Sequence, residues 1–120
     1  MIYKGIVQKG SEYGRRLGFP TANVPLEDTS VSGIFAAKVR FDDKEYGAVV
    51  YADQRNKVLE AHLLHFGGEL YGKELEIELL GKIRDDRRFE SEEEAKRTIA
   101  ADTAAARQYF NPPLSPKSGG

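Results

Sequence analysis

Residues 35–51 read Phe-Ala-Ala-Lys-Val-Arg-Phe-Asp-Asp-Lys-Glu-Tyr-Gly-Ala-Val-Val-Tyr and carry the strongest fold signal in the chain. Before Asp42 and Asp43, apolar side chains alternate with others at the period of two that marks a strand with one buried face. After the aspartates, residues 45–51 resume a β-rich pattern. The stretch therefore predicts a β-hairpin. The alternating apolar residues of its first half are Phe35, Ala37, Val39 and Phe41.

Further strands are indicated on both sides of this hairpin. Residues 74–83 show the clearest alternation, because apolar side chains fill one face and mainly glutamates fill the other. Residues 2–8 and 58–66 are also β-rich, and glycines and polar residues between the segments supply turns. Short strands in succession favour a sandwich or a barrel.

One convincing helix follows the strands. Ser91 and Glu94 fit a capping box, and the helix should run to about Tyr109 before Asn111-Pro112-Pro113 stops it. The residues expected on its packed face are Ala95, Ile99, Asp102 and Ala106. We therefore expect a β-barrel with a C-terminal α-helix packed on its outside.

Composition limits the classes of function. A length of 120 residues supports one domain, which we place at residues 1–110, and the proline-rich residues 111–120 are expected to be a disordered tail. The absence of cysteine is compatible with a reducing cytoplasm. The formal net charge of -1 argues against a dedicated nucleic-acid binder. With no transmembrane or signal segment indicated, we expect a cytoplasmic monomer without a membrane partner.

Residues 10–23 read Gly-Ser-Glu-Tyr-Gly-Arg-Arg-Leu-Gly-Phe-Pro-Thr-Ala-Asn. Glycines at a spacing of four allow the backbone to approach a ligand closely, and Arg15 beside them adds fixed positive charge, so this chemistry suits phosphate. Pro20 restrains the turn that follows, and the oxygens of Thr21 and Asn23 suit Mg²⁺. The glycines are Gly10, Gly14 and Gly18.

The run from Gly14 to Asn23 resembles the signature of the ATP-dependent riboflavin kinase (flavokinase) family, and further matches follow in family order over residues 3–108. The resemblance implies a closed antiparallel Greek-key β-barrel of about six strands with the helix outside. It also implies that ATP and riboflavin are substrates and that Mg²⁺ is required. The further matching segments are residues 33–36, 59–66, 70–72 and 83–84, with Phe89.

The resemblance assigns roles to the glycine-rich region. It implies that Thr21 and Asn23 hold Mg²⁺ against the nucleotide phosphates. The nucleotide-binding residues would be Gly10, Gly14, Arg15, Gly18, Pro20 and Thr21. Taken without the resemblance, Pro-Thr-Ala-Asn could instead be a turn whose polar side chains bond nearby backbone.

Glu60 is the candidate catalytic base. The resemblance implies that it accepts the proton of the ribityl 5′-hydroxyl, whereas composition alone favours a glutamate on the outer face of an edge strand. Arg84 and Phe89 would contact the flavin substrate, although their loop could also be a solvated basic loop. His62 and His65 lie three apart and point to opposite faces of a strand, so we interpret both as structural.

Residues 51–57 depart from the family pattern, since they lack its glycine and its Pro-Thr pair and look shortened. This departure motivates a second hypothesis, a non-catalytic flavin-binding or nucleotide-binding barrel derived from a riboflavin kinase. A third hypothesis is a barrel that binds oligonucleotides or a protein partner, which the near-neutral charge disfavours. The glycine spacing of a P-loop occurs between Gly5 and Gly10, but the motif's lysine is absent.

Overall fold

The computed structural model describes residues 1–8 and 17–110, and the tail predicted at 111–120 lies outside them. The described residues form six strands and one helix. These are β1 Ile2–Ile6, β2 Ala22–Pro25, β3 Gly33–Phe41, β4 Lys44–Asp53, β5 Val58–Leu63, β6 Glu74–Arg84 and α1 Glu92–Arg107.

All strand pairs are antiparallel, and the strand order is β1-β6-β3-β4-β5-β2. Strands β3, β4 and β5 are consecutive neighbours, and β6 returns beside β3, which is the Greek-key arrangement. The two ends of this order meet where an isolated bridge joins Gln8 to Asn23. The sheet is therefore a nearly closed barrel of six antiparallel strands, as expected.

The predicted hairpin is the β3–β4 pair. Its two turn residues, Asp42 and Asp43, have φ angles of 52° and 61°. Positive φ at both central residues is the geometry of a two-residue type I′ turn, which matches the twist of the flanking strands. The register pairs Phe41 with Lys44 and runs to Gly33 opposite Ala52.

The core fills the inside of the barrel. Alternation works as predicted in β3 and in β6 as far as Leu79. Beyond Leu79 the register with β3 shifts, so Gly81 and Ile83 face the helix side and the predicted alternation is wrong there. Each fully buried branched residue of this type stabilises the fold by about 1.5–3 kcal/mol relative to its exposed state. The large side chains with essentially no exposed surface are Leu26, Leu59, Leu75, Ile77, Val24, Val39 and Val50.

Helix α1 packs on the outer face of β3, β4 and β6. Its Ala106 lies in a second apolar cluster with Ile34, Ala36 and Val49, so β3 is buried on both faces. Ser91 caps the helix as predicted by accepting a hydrogen bond from the Glu94 amide at 3.1 Å.

The C-terminal end of α1 rests on two glycines of the barrel. The Phe110 ring lies against Gly47 on β4, and Tyr109 lies against Gly81 on β6. A Cβ atom at position 47 would stand 2.7 Å from two ring carbons of Phe110. The missing side chains therefore let the helix end approach the sheet closely.

Some boundaries differ from the predictions. Strand β1 ends at Ile6 rather than Gln8, and β5 ends at Leu63 rather than Phe66. His65 follows β5 in a turn, with a φ of 58°. The predicted alternation of His65 with His62 on one strand is therefore wrong. No helix within residues 1–8 and 17–110 has the length and apolar character needed to cross a membrane.

Candidate active site on the outer face of the barrel

Glu60 lies in the middle of β5 and faces outward, because its neighbours Leu59 and Ala61 both point into the core. Its strand is not an edge strand, since it is paired on both sides, with β4 and β2. The side chain is half-buried. Among the described residues, no group donates a hydrogen bond to its carboxylate or forms an ion pair with it.

The electrostatic surroundings favour the protonated form of Glu60. Burial is the main cause that raises the pKa of its carboxyl, and the negative charge of Asp53 raises that pKa further. Asp53 lies on β4 opposite Val58, so it is a diagonal neighbour of Glu60 on the same face. A carboxylate that holds a proton more tightly than usual is better suited to accept one near neutral pH.

Asn23 lies directly opposite Glu60 across the β2–β5 pair, so the two side chains leave the same face of the sheet with Cβ atoms about 5 Å apart. Asn23 is only 4% exposed. Its Oδ1 atom is buried and has no hydrogen-bond partner in the described part of the chain. A buried amide oxygen without a partner is costly, which suggests that a ligand uses it.

The segment before β2 is fixed by His62. Its Nδ1 lies 2.9 Å from the Pro20 carbonyl oxygen, and its ring meets the Phe19 ring edge-on with centroids 5.6 Å apart. Thr21 follows directly and is partly exposed. Gly18, with a φ of 93°, has a backbone conformation that favours glycine.

The structure therefore pairs Asn23 with Glu60 and holds Pro20 against His62 of the same strand. Gly18 and Thr21 lie next to Pro20 in the chain. The remaining predicted nucleotide contacts, Gly10, Gly14 and Arg15, lie outside the described residues.

Tyr51 occupies the other side of Glu60, because β4 and β5 pair these two residues directly. Its hydroxyl donates a 2.8 Å hydrogen bond to Asp86 Oδ2, in the segment between β6 and α1. Burial and then this hydrogen bond raise the pKa of Tyr51 above its usual range. Sequence reasoning did not identify Tyr51 as a site residue, and only the β4–β5 register reveals it.

Arg84 and Phe89 are also close together, since the guanidinium carbon lies 5.7 Å from the ring centroid. Arg84 makes a bidentate ion pair with Asp102 of α1, with both N···O distances at 2.8 Å. Its Nη1 donates to the Asp85 carbonyl. Arg84 thus fixes the start of the 85–90 segment to the helix, and flavin contacts from Arg84 and Phe89 stay predictions.

The segment that departs from the family pattern forms a tight turn. The Asp53 carboxylate accepts hydrogen bonds from the backbone amides of Arg55 and Asn56. Gln54 Nε2 donates to the carbonyl oxygens of Asp28 and Val31 in the β2–β3 connection. The altered loop is therefore firmly bonded at the edge of the site.

No group of three His, Cys, Asp or Glu side chains within the described ranges is arranged to hold a metal ion. A metal here would need the neutral oxygens of Asn23 and Thr21 together with oxygens of a bound ligand, a donor set that suits Mg²⁺ with phosphates. The unpartnered Asn23 Oδ1 fits this requirement. Fold and site together define a small β-barrel protein with an acid–base group beside a candidate metal ligand.

The riboflavin kinase family profile, Flavokinase, matches residues 1–110. The bifunctional riboflavin kinase/FMN adenylyltransferase of Escherichia coli strain K12 is 40% identical over 115 residues, covering 88% of this chain and 37% of the relative. The chain belongs to the riboflavin kinase family. It spans well under half the length of the bifunctional riboflavin kinase/FMN adenylyltransferases that it matches.

Two crystal structures share the fold. Riboflavin kinase from Trypanosoma brucei is 27% identical with a TM-score of 0.67, and the match covers 93% of this chain and 80% of that one. A Streptococcus pneumoniae protein described as a macrolide-efflux protein is 25% identical with a TM-score of 0.76, covering 88% and 38% of the two chains.

Proposed function

We propose that this protein transfers the γ-phosphate of ATP to the 5′-hydroxyl of riboflavin, giving FMN and ADP. The observation that carries the proposal is the direct pairing of Glu60 with Asn23, two buried or half-buried oxygen groups without protein partners among the described residues. Family membership of residues 1–110 supplies the substrates. The second hypothesis, a barrel that binds a flavin or nucleotide without catalysis, gains no support from either observation.

Glu60 acts as the general base. The riboflavin hydroxyl oxygen forms a bond to the γ-phosphorus as the bond from that phosphorus to the β–γ bridging oxygen breaks. The hydroxyl proton passes to the Glu60 carboxylate, and ADP leaves with the bridging oxygen. The raised pKa of Glu60 supports this role, because proton transfer is most effective when the base titrates near the working pH.

Asn23 and Thr21 would hold Mg²⁺ through their side-chain oxygens, because residues two apart in an extended segment point to the same side. When bound, Mg²⁺ offsets the negative charge of the phosphates during transfer. The nucleotide phosphates lie along the glycine-rich region, where Gly18 and Pro20 follow the predicted contacts Gly10, Gly14 and Arg15. The flavin lies on the side of Arg84 and Phe89.

We extend the proposal to the setting of the protein, a cytoplasmic monomer whose activity resides in residues 1–110. The chain contains no cysteine, which is compatible with a reducing compartment. The fold has one continuous barrel core with its helix packed upon it, so folding of this domain needs no partner subunit.

The test is chromatographic detection of FMN after incubation of the purified protein with riboflavin, ATP and Mg²⁺. We expect Glu60→Gln to lower kcat by about 10² or more, because general-base catalysis contributes roughly that factor. The matched control is Glu74→Gln, which removes an exposed carboxylate at the opposite end of β6 from Arg84.

Riboflavin binding, followed by flavin fluorescence, separates the outcomes. Full activity in Glu60→Gln would exclude Glu60 as the general base. Riboflavin binding by the wild-type protein without any FMN formation would favour the barrel that only binds.

A further inference from the structure

The 85–90 segment connects β6 to α1 without regular secondary structure until the bend before the helix, and it is held from several directions. Lys82 pairs with Asp85 at 2.5 Å, and Arg87 bonds Glu94 and Thr98 of the helix. These contacts tie the segment to β6 and α1. The hydrogen bond from Tyr51 to Asp86 extends the attachment to β4, the strand next to Glu60.

Tyr51 is well supported as an anchor. Its ring packs against the apolar cluster between β3, β4 and α1, which contains Ile34, Ala36 and Val49. On the sheet it has Ile34 on one side and Glu60 on the other. The Tyr51 hydroxyl holds the exposed Asp86 carboxylate beside the strand next to Glu60.

Three carboxylates therefore lie near Tyr51. Asp86 bonds it, Glu60 is its cross-strand neighbour, and Asp53 lies two residues further along the same face of β4. All three raise the pKa of the tyrosine through their negative charge. None of the three forms an ion pair with a described lysine or arginine.

We propose that Tyr51 is a positioning residue that holds Asp86 in place, and that the resulting negative field makes the acceptor site select an uncharged hydroxyl compound over its phosphorylated form. The inference rests on the proposed function. An incoming acceptor is neutral and approaches Glu60 without electrostatic cost. A product that carries a phosphate dianion at the same place is repelled, so the site favours its release.

Two variants separate the charge from the attachment. Asp86→Asn keeps an acceptor oxygen for the Tyr51 hydroxyl but removes the charge. Tyr51→Phe keeps the charge but removes the attachment. The matched controls are Asp43→Asn, in an exposed turn, and Tyr71→Phe, at an exposed tyrosine.

The experiment measures dissociation constants of riboflavin and of FMN by flavin fluorescence with the nucleotide-free protein. We expect Asp86→Asn to lower the ratio Kd(FMN)/Kd(riboflavin) about three- to tenfold, the range for removing one charge several ångströms from a dianion near a protein surface. We expect Tyr51→Phe to lower the ratio less and to raise Kd(riboflavin) as well. Added salt should lower the wild-type ratio.

An unchanged ratio in Asp86→Asn, an equal change in Asp43→Asn, or no flavin binding at all would overturn the inference. The binding assay is independent of turnover. If the ratio responds but no FMN is formed from riboflavin and ATP, the proposed function fails and the selectivity stands. If FMN is formed and the ratio does not respond, only the selectivity fails.

Discussion

His62 lies two residues from Glu60 on the outer face of β5, and its ring holds the segment that leads to Thr21. Because the Pro20 carbonyl oxygen can only accept a hydrogen bond, Nδ1 of His62 carries the hydrogen in this contact. The contact fixes the backbone one residue before the first candidate metal ligand. His62 is therefore a positioning residue rather than a ligand, in agreement with its interpretation from the sequence.

Two substitutions test this role. His62→Phe keeps an aromatic ring against Phe19 but removes the donor, whereas His62→Asn keeps an N–H at the same number of bonds from the backbone. We expect His62→Phe to raise the KM for ATP about fivefold, which corresponds to roughly 1 kcal/mol for one lost hydrogen bond. His62→Asn should lie closer to wild type. Steady-state kinetics at saturating riboflavin measures both, and equal KM values for the two variants would contradict the role.

Thr21 and Asn23 became candidates because their motif is local in sequence, and Glu60 became one through the family resemblance. Their roles stay predictions. The unpartnered oxygen of Asn23 was not predictable, since it depends on the fold around it. Tyr51 was missed because its pairing with Glu60 depends on the turn that Asp53 organises, and the Arg84 pair with Asp102 spans two elements.

At the level of elements, the end of α1 packs on the barrel at glycines, where no side chain stands in the way. Gly47 has no positive φ, so its role is steric rather than conformational. A Cβ atom at position 47 would stand too close to the Phe110 ring. The helix end and β4 therefore form one packed unit.

We expect Gly47→Ala to lower the free energy of unfolding by about 1–2 kcal/mol, the usual cost of forcing an extra carbon into a packed contact. Chemical denaturation measures the change, and Gly67→Ala is the control because a Cβ atom there would meet nothing within 4 Å. Phe110→Ala should cost less in the Gly47→Ala background than in wild type. Equal costs in the two backgrounds would show that the contact contributes nothing.

The strands were predictable where apolar side chains alternate with others along the sequence. Alternation located β3 and β6, a β-rich run located β4, and the paired aspartates located the turn between β3 and β4. Strand β2 was not predicted as a strand, because its four residues, Ala22–Pro25, are too few to show a period. Its role in closing the barrel follows from pairing with β5 and from the bridge at Gln8, which are contacts distant in sequence.

At the level of the whole molecule, the candidate base lowers the stability of the fold that holds it. The folded protein raises the pKa of Glu60, so it binds this proton more tightly than the unfolded chain does. Stability is then greatest while the carboxyl is protonated in both states. It falls as the pH rises from the usual glutamate value of 4.5 through the raised value in the fold.

Glu60→Gln cannot ionise and should escape this loss. We expect its melting temperature to exceed that of wild type by an amount that grows as the pH rises from about 4.5 and then becomes constant above the pKa of the folded protein. Scanning calorimetry over this pH range measures the difference, with Glu74→Gln correcting for the loss of one charge. A constant difference, or one that shrinks as the pH rises, would contradict the raised pKa.

Asn23 has two roles in the structure. Its backbone closes the barrel through the bridge to Gln8, and its side chain faces the candidate site. Because so short a contact joins β1 to β2, we expect local opening of the barrel to begin at this β1–β2 seam. Each transient opening would separate the end of β1 from β2, while β2 stays paired with β5 and Asn23 keeps its place opposite Glu60. A ligand that binds only the closed form would lengthen the lifetime of the closed barrel.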